Sequence, residues 1–220
     1  MSLYQRFFYW LDLRLHALLA ISDIQGREHF PEKGPYIFAL NHLSMIDVPF
    51  VFSVVGDKSA TGWVAEKYYK HIIFGTLLKI GGGVFIRRGQ VDRDAITDAV
   101  TWLNDGNIFG IAPEGTRSAS HALIRGKTGL AFLADEARVP VIPMAVTGTE
   151  TTFQQWLHLR RPHLKLRIGA PITLPPLDEN NRSASLRRNT DEVMCQIAAL
   201  LPPEYRGVYS DHPRLEELSN

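Results

Sequence analysis

The feature of this chain that most restricts its fold is the alternation of short apolar runs with longer amphipathic ones. "PYIFALN", "GVFIRRG", "NIFGIAP", "VPVIPMAVTG" and "LKLRIGAPI" read as strands. Interleaved with them, "VPFVFSVVG", "AEKYYKHIIFGTLLKIGG", "DRDAITDAVTWLNDG", "GKTGLAFLADEAR" and "SLRRNTDEVMCQIAALLP" read as helices. The second has helical spacing at Tyr69, Ile72, Ile73, Leu77 and Ile80 and stops at glycines. The third opens on acidic residues and closes on Asp-Gly. Such alternation specifies an α/β domain with a central mixed, mainly parallel sheet flanked by helices. At 220 residues and 45% hydrophobic content, the chain has enough apolar material for one sizeable core. We assign residues 24–220 to that domain and residues 1–23 to an N-terminal amphipathic helix.

The N-terminal stretch "LYQRFFYWLDLRLHALLAI" is apolar, but Asp12, Arg14 and His16 interrupt it. It therefore lacks the run of about 20 apolar residues that a membrane span needs. It also lacks the unbroken apolar core and small-residue cleavage site of a signal peptide. Phe7, Leu11, Leu15 and Leu18 share one face of a helical wheel. Two roles fit that face: a cap on the domain's own core, or an interfacial helix that inserts Phe7, Phe8 and Trp10 into a bilayer surface.

The formal charge of +1 gives no ground for a nucleic-acid partner. The single cysteine, Cys195, excludes an internal disulfide, and its place in a helical run reads as a buried small hydrophobe. The eight histidines are scattered, without a His-Glu-x-x-His pair, so no metal site is expected.

Three polar clusters each follow directly on a strand: "NHLSMID", "RRG" and "PEGTRS". In open α/β sheets, ligands gather in the loops beyond the strand ends. If those strands run parallel, the clusters face one cleft. His42 and Asp47 suit a general base and the carboxylate that orients it. Residues five apart on one helix point about 140° from each other, so the pair meets only if His42 lies in a turn and Asp47 at a helix start. Pro49 supports that placement, because proline is tolerated in a helix's first turn. Taken alone, Asp47 and Ser44 also fit plain helix capping, and His42 a loop histidine. In "EGTRS", Gly115 permits close backbone approach, and Arg117 can fork onto a phosphate or pair with Glu114. Arg87 and Arg88 alternate across a strand end, so one of them faces the cleft. A base beside a phosphate-binding group is the reading that unites the clusters. The basic run "RRPHLKLR" beside Trp156 and Leu157 fits a solvated strand edge, an anionic lipid surface or an acidic carrier protein.

Together these residues resemble the glycerolipid acyltransferase family, in its lysophosphatidic-acid acyltransferase branch. Its four ordered blocks are matched here by Asn41, His42 and Asp47; by Gly82, Phe85, Ile86 and Arg88; by Pro113 to Ser118; and by Val139 to Pro143. One departure is Ala112, which stands where a bulky aromatic often precedes the proline. The resemblance implies an enzyme that moves an acyl group to the sn-2 hydroxyl of 1-acyl-glycerol-3-phosphate, giving phosphatidic acid. His42 would be the general base and Asp47 its orienter, with Arg88, Glu114, Gly115, Thr116 and Arg117 holding the substrate phosphate. It implies no cofactor: the acyl donor is a co-substrate thioester, acyl-CoA or acyl-carrier protein, attacked directly without an acyl-enzyme. It also implies a peripheral protein at the cytoplasmic face of a membrane, with a lysophospholipid acceptor as partner. Acylation or transacylation of another lysolipid, and a non-catalytic lipid-surface module, are the alternatives.

Overall fold

The computed structural model describes residues 10, 11, 14, 15, 17–56, 60–65, 84–86 and 93–219. Its strands are β1 (Ile21–Gln25), β2 (Tyr36–Leu40), β3 (Ala60–Ala65), β4 (Val84–Ile86), β5 (Ile108–Ile111), β6 (Val141–Thr147) and β7 (His163–Ile168). The helices are α1 (Asp47–Val55), α2 (Arg93–Asn104), α3 (Gly129–Ala137), α4 (Thr152–Leu157), α5 (Arg182–Leu200) and α6 (Pro213–Ser219). The strands form one sheet in the order β1-β7-β6-β2-β5-β3-β4. Every neighbouring pair is parallel except β6 with β7. The mixed, mainly parallel sheet read from the sequence is therefore present.

Alternation along the strands sorts the core into two layers. Tyr36, Phe38 and Leu40 of β2 point to the side of α1, where they pack with Phe50, Val51 and Val54. Ile37 and Ala39 point to the other side and meet Leu103 of α2, Leu130 and Leu133 of α3, and Val193, Met194 and Ile197 of α5. All five residues of β2 are buried, as are all four of β5 and all seven of β6. This is why the central strands read as continuous apolar runs: helices cover both faces. Gly110 of β5 carries no side chain because the Phe38 ring fills that space, only 2.3 Å from where a Cβ would stand.

Two strands are absent from the sequence reading. β1 begins at Ile21, inside the stretch assigned to the N-terminal helix, and the helical residues there end at Leu19. It is an edge strand, largely exposed, so "ISDIQ" carries no apolar alternation to mark it. Gly26 ends it at φ 82, where an added Cβ would lie 2.0 Å from Ile168 O. β3, "ATGWVA", is the other, and Gly62 dilutes its strand signal. The helix expected over 65–82 lies outside the described residues, except that Ala65 closes β3.

Cys195 is fully buried in α5, and burial pushes its thiol up to about 12. A thiol so disfavoured from ionising is not a nucleophile at neutral pH. Ellman's reagent should therefore find no reactive thiol in the native protein and one thiol after denaturation in guanidinium; a native-state reaction would contradict the burial.

Candidate active site

The parallel strands β2, β5 and β6 end on the same side of the sheet, and the site is assembled from the loops that leave them. β2 separates from β6 after the Leu40–Met144 register pair. Asn41 then replaces the missing peptide pairing with its side chain. Its Nδ2 donates to Val146 O at 2.9 Å, and its Oδ1 accepts from Val146 N at 2.7 Å. The amide copies a strand's donor–acceptor pair, which frees the backbone to turn at His42.

That turn brings His42 back over the start of α1. His42 Nδ1 lies 2.7 Å from Asp47 Oδ2. The same oxygen accepts from the backbone amides of Leu43 at 2.7 Å and Ser44 at 2.8 Å. Oδ1 takes a short hydrogen bond from the Thr149 hydroxyl, in the loop after β6. Asp47 is the first residue of α1, as the Pro49 argument requires, but its carboxylate is held by loop amides before the helix rather than by the helix's own. It is completely buried, while the His42 side chain keeps 17% exposure. Four hydrogen-bond partners around the buried carboxylate replace the solvent it has lost and leave it no freedom to rotate. Ser44 acts locally, because its Oγ accepts from Ile46 N at 3.0 Å and so braces the turn.

The backbone of His42 is clamped from the loop after β5. Its N–H donates to Glu114 Oε1 at 2.9 Å, and its carbonyl accepts from Ser118 N at 2.9 Å. Glu114 Oε2 accepts from Ile124 N at 3.1 Å. With main chain and Nδ1 all engaged, Nε2 is the one polar atom of His42 without a protein partner among the described residues. Glu114 is thus a buried brace with both oxygens occupied by amides, not a carboxylate presented to a ligand. Burial pushes its carboxyl above the usual carboxylate range, against the pull of the Ile124 and His42 amides. Thr116 and Arg117 are exposed. Arg117 makes no ion pair among the described residues, so the pairing with Glu114 that its spacing allows does not form. Gly115, at φ 67, closes the turn, and the Lys127 side chain crosses it: a Cβ there would sit 3.0 Å from Lys127 Nζ. Among the described residues, Arg117, Arg125 and Lys127 are three exposed cations of this loop without an ion pair. Arg88 lies outside the described residues, just beyond the end of β4.

The C-terminal third supports this loop from behind. Leu123 N donates to Tyr205 O at 2.8 Å, and Gly126 N donates to the Tyr209 hydroxyl at 3.1 Å. Arg187, paired bidentately with Asp191, reaches Gly126 O at 2.7 Å. The Tyr205 hydroxyl, pushed up to about 12 by burial and by Glu150, remains a donor and binds Glu150 Oε1 at 2.7 Å. Thr149, Lys127 and Tyr205 are absent from the site residues read from sequence. Thr149 carried a usable signal, because "TGTE" follows the end of β6 as the other clusters follow β2 and β5.

These features define an α/β domain with a carboxylate-oriented histidine and free cations at the carboxyl edge of its sheet. Residues 22–147 match the family model for acyltransferases, and the chain belongs to that family. It is 30% identical to the 1-acyl-sn-glycerol-3-phosphate acyltransferase of Saccharomyces cerevisiae, over 90% of this chain and 71% of the yeast protein. Identity with the enzyme of the same name from Limnanthes alba is 29%, over 72% of this chain and 55% of that protein. With the mouse alpha form it is 28%, over 60% and 47%. The chain thus spans about half the length of the plant and mouse relatives. The fold is shared with the crystal structure of the 1-acyl-sn-glycerophosphate acyltransferase PlsC from Thermotoga maritima. The TM-score is 0.64 at 23% identity, covering 86% of this chain and 79% of the other.

Thr149→Val should expose the burden that the hydroxyl carries, because Asp47 Oδ1 would face a methyl group. The expected loss is about 1–3 kcal/mol in urea unfolding, largely restored by Thr149→Ser. Equal stability of the valine and serine variants would show that the hydroxyl carries no such burden.

Proposed function

We propose that this protein transfers a fatty acyl group from an acyl thioester to the sn-2 hydroxyl of 1-acyl-glycerol-3-phosphate, giving phosphatidic acid. The observation that carries the reading is the His42–Asp47 pair, with Nδ1 held at 2.7 Å and Nε2 left free. A carboxylate on Nδ1 fixes the Nδ1–H tautomer, so Nε2 offers a lone pair to an incoming hydroxyl. In the proposed step, Nε2 takes the proton as the hydroxyl oxygen attacks the thioester carbonyl carbon. The tetrahedral intermediate collapses with cleavage of the carbon–sulfur bond, and the thiolate leaves with the proton from the imidazolium. Asp47 stabilises the imidazolium while it exists. A thioester is already activated, so positioning and proton transfer are the main demands on the protein. No acyl-enzyme is required, in keeping with the buried, un-ionised Cys195.

Arg117 is the proposed phosphate ligand, supported by Lys127 beside it, with Arg88 as a further cation. Glu114 and Gly115 act in this reading by shaping the loop, and Thr116, which is exposed, would donate its hydroxyl. The relatives named above share the reaction in their names, which supports lysophosphatidate as acceptor. The donor is acyl-CoA or acyl-carrier protein as a co-substrate, with no other cofactor. None of the described helices is long and apolar enough to cross a membrane. Peripheral attachment at the cytoplasmic face of a membrane is part of the proposal.

Thiol release from an acyl thioester, with lysophosphatidate as acceptor, tests the reading. His42→Ala should lower kcat by roughly 100- to 10,000-fold with the fold intact. Arg117→Ala should raise KM for lysophosphatidate far more than for a lysolipid whose phosphate bears a choline. Undiminished turnover by His42→Ala would refute the mechanism; equal KM effects on both acceptors would remove Arg117 from the phosphate site.

A further inference from the structure

The loop that leaves β6 does more than supply Thr149. It continues into α4 and then a tight turn, and its apolar residues face outward. Phe153 is 54% exposed, Leu157 83% and Leu159 97%. Leu159 occupies a backbone position that suits glycine. The N–H of Arg160 reaches Gln155 O and the N–H of Leu159 reaches Trp156 O, both at 2.9 Å, which is the closing pattern of a helix that ends in a left-handed residue. Leu159 supplies that residue at φ 54, a conformation branched side chains resist. A sequence shaped by folding alone would place glycine or asparagine there, not a leucine held almost wholly in water. An exposed apolar residue kept in a strained turn points to a use for its side chain.

The surface does not end at the turn. Trp156 Nε1 donates to Leu19 O at 2.9 Å, and Arg161 Nη2 donates to Ala17 O at 2.7 Å and to Ala20 O. These bonds cap the carboxyl end of the N-terminal helix and seat it beside α4. Of that helix's described apolar residues, Leu11 is half-buried, but Trp10 is 51% exposed, Leu15 43% and Leu18 70%. The reading of it as a cap on the core therefore leaves most of its face unexplained. From Thr151 to Leu177 the chain has no aspartate or glutamate, while Arg160 and Lys165 are exposed cations and Arg167 is paired with Asp23 at 2.6 Å. Apolar side chains standing out of a cationic surround match a bilayer surface that carries negative headgroups.

We propose that Phe153, Leu157 and Leu159, continuous with the outer face of the N-terminal helix, insert into an anionic lipid surface while Arg160 and its neighbours contact the headgroups. This rests on the acyltransferase reading for its purpose but not for its evidence. The loop bearing these residues also carries Thr149, hydrogen-bonded to Asp47, so docking through it would bring the His42 cleft to the membrane that holds the acceptor and product. The leucine turn would be a second point of attachment besides the helix, and it would fix the orientation of the domain.

The test is flotation of the full chain with phosphatidylcholine vesicles, with and without phosphatidylglycerol. Wild-type protein should float with the mixed vesicles and lose affinity in high salt. Leu157→Asp and Leu159→Asp should each weaken binding roughly tenfold or more. Arg160→Gln should weaken it roughly fivefold on the anionic vesicles alone. Leu159→Gly is the decisive variant: relief of strain should hold or raise its melting temperature while vesicle binding falls. Thiol release with a short-chain acceptor below its micelle concentration should be unchanged in all four variants. Loss of vesicle binding by the variants in a protein without any thiol release would leave the surface standing and defeat the enzymatic reading. Variants that float like wild type would overturn the proposal. So would variants that change only self-association, or only binding of an acidic carrier protein.

Discussion

The hydrogen bonds to the Asp47 carboxylate are the constraint on which the rest of the site depends. Taking an ionised carboxylate out of water costs several kcal/mol unless donors replace the lost solvent. Here the donors come from the turn after β2, from the imidazole of His42 and from the loop after β6. No one element supplies enough of them. The carboxylate can be buried only when β2, α1 and β6 are already in place, so the fold and the site form together. The same requirement explains Asn41, whose side chain holds β2 against Val146 at the point where the main chain must leave the sheet.

The second buried carboxylate, Glu114, solves a similar problem in a different way. It joins the turn bearing His42 to the loop after β5 through amides on both of its oxygens. With the Ser118 N–H on the His42 carbonyl, this leaves the histidine with only Nε2 for chemistry. The loop bearing Arg117 and Lys127 is held in turn by Tyr205, Tyr209 and Arg187, which lie beyond the residues matched by the family model. The C-terminal third is thus a buttress for the loop bearing Arg117 and Lys127.

Most of the central fold was legible because its strands are buried on both faces. "YIFAL", "IFGI" and "VIPMAVT" have no polar alternation to confuse with a helix, and each is followed by turn-forming residues. Two strands, β1 and β3, were not legible. β1 is an exposed edge with little apolar content, and β3 contains a glycine that lies 2.6 Å, by its would-be Cβ, from Gly110 O. At the site, the spacing of His42, Asp47 and Pro49 predicted the turn and the helix start, and both are present. The position of Thr149 after β6 was a usable sign of a loop residue at the site, but its contact with Asp47, which bridges 102 positions of sequence, shows only in the fold. For Glu114 and Arg117, sequence shows a carboxylate near an arginine, and only the fold shows that Glu114 points inward and Arg117 outward.

The proposed chemistry depends most directly on the tautomer of His42. Histidine labelled with nitrogen-15 at both ring positions, with His42 assigned by comparison with His42→Ala, gives that tautomer from long-range nitrogen–proton spectra. At a pH where the imidazole is neutral, the prediction is a protonated Nδ1 with a strongly downfield proton, an unprotonated Nε2, and loss of the downfield signal in Asp47→Asn. A neutral His42 carrying its proton on Nε2 would contradict the mechanism, since it would have no lone pair to offer the acceptor hydroxyl.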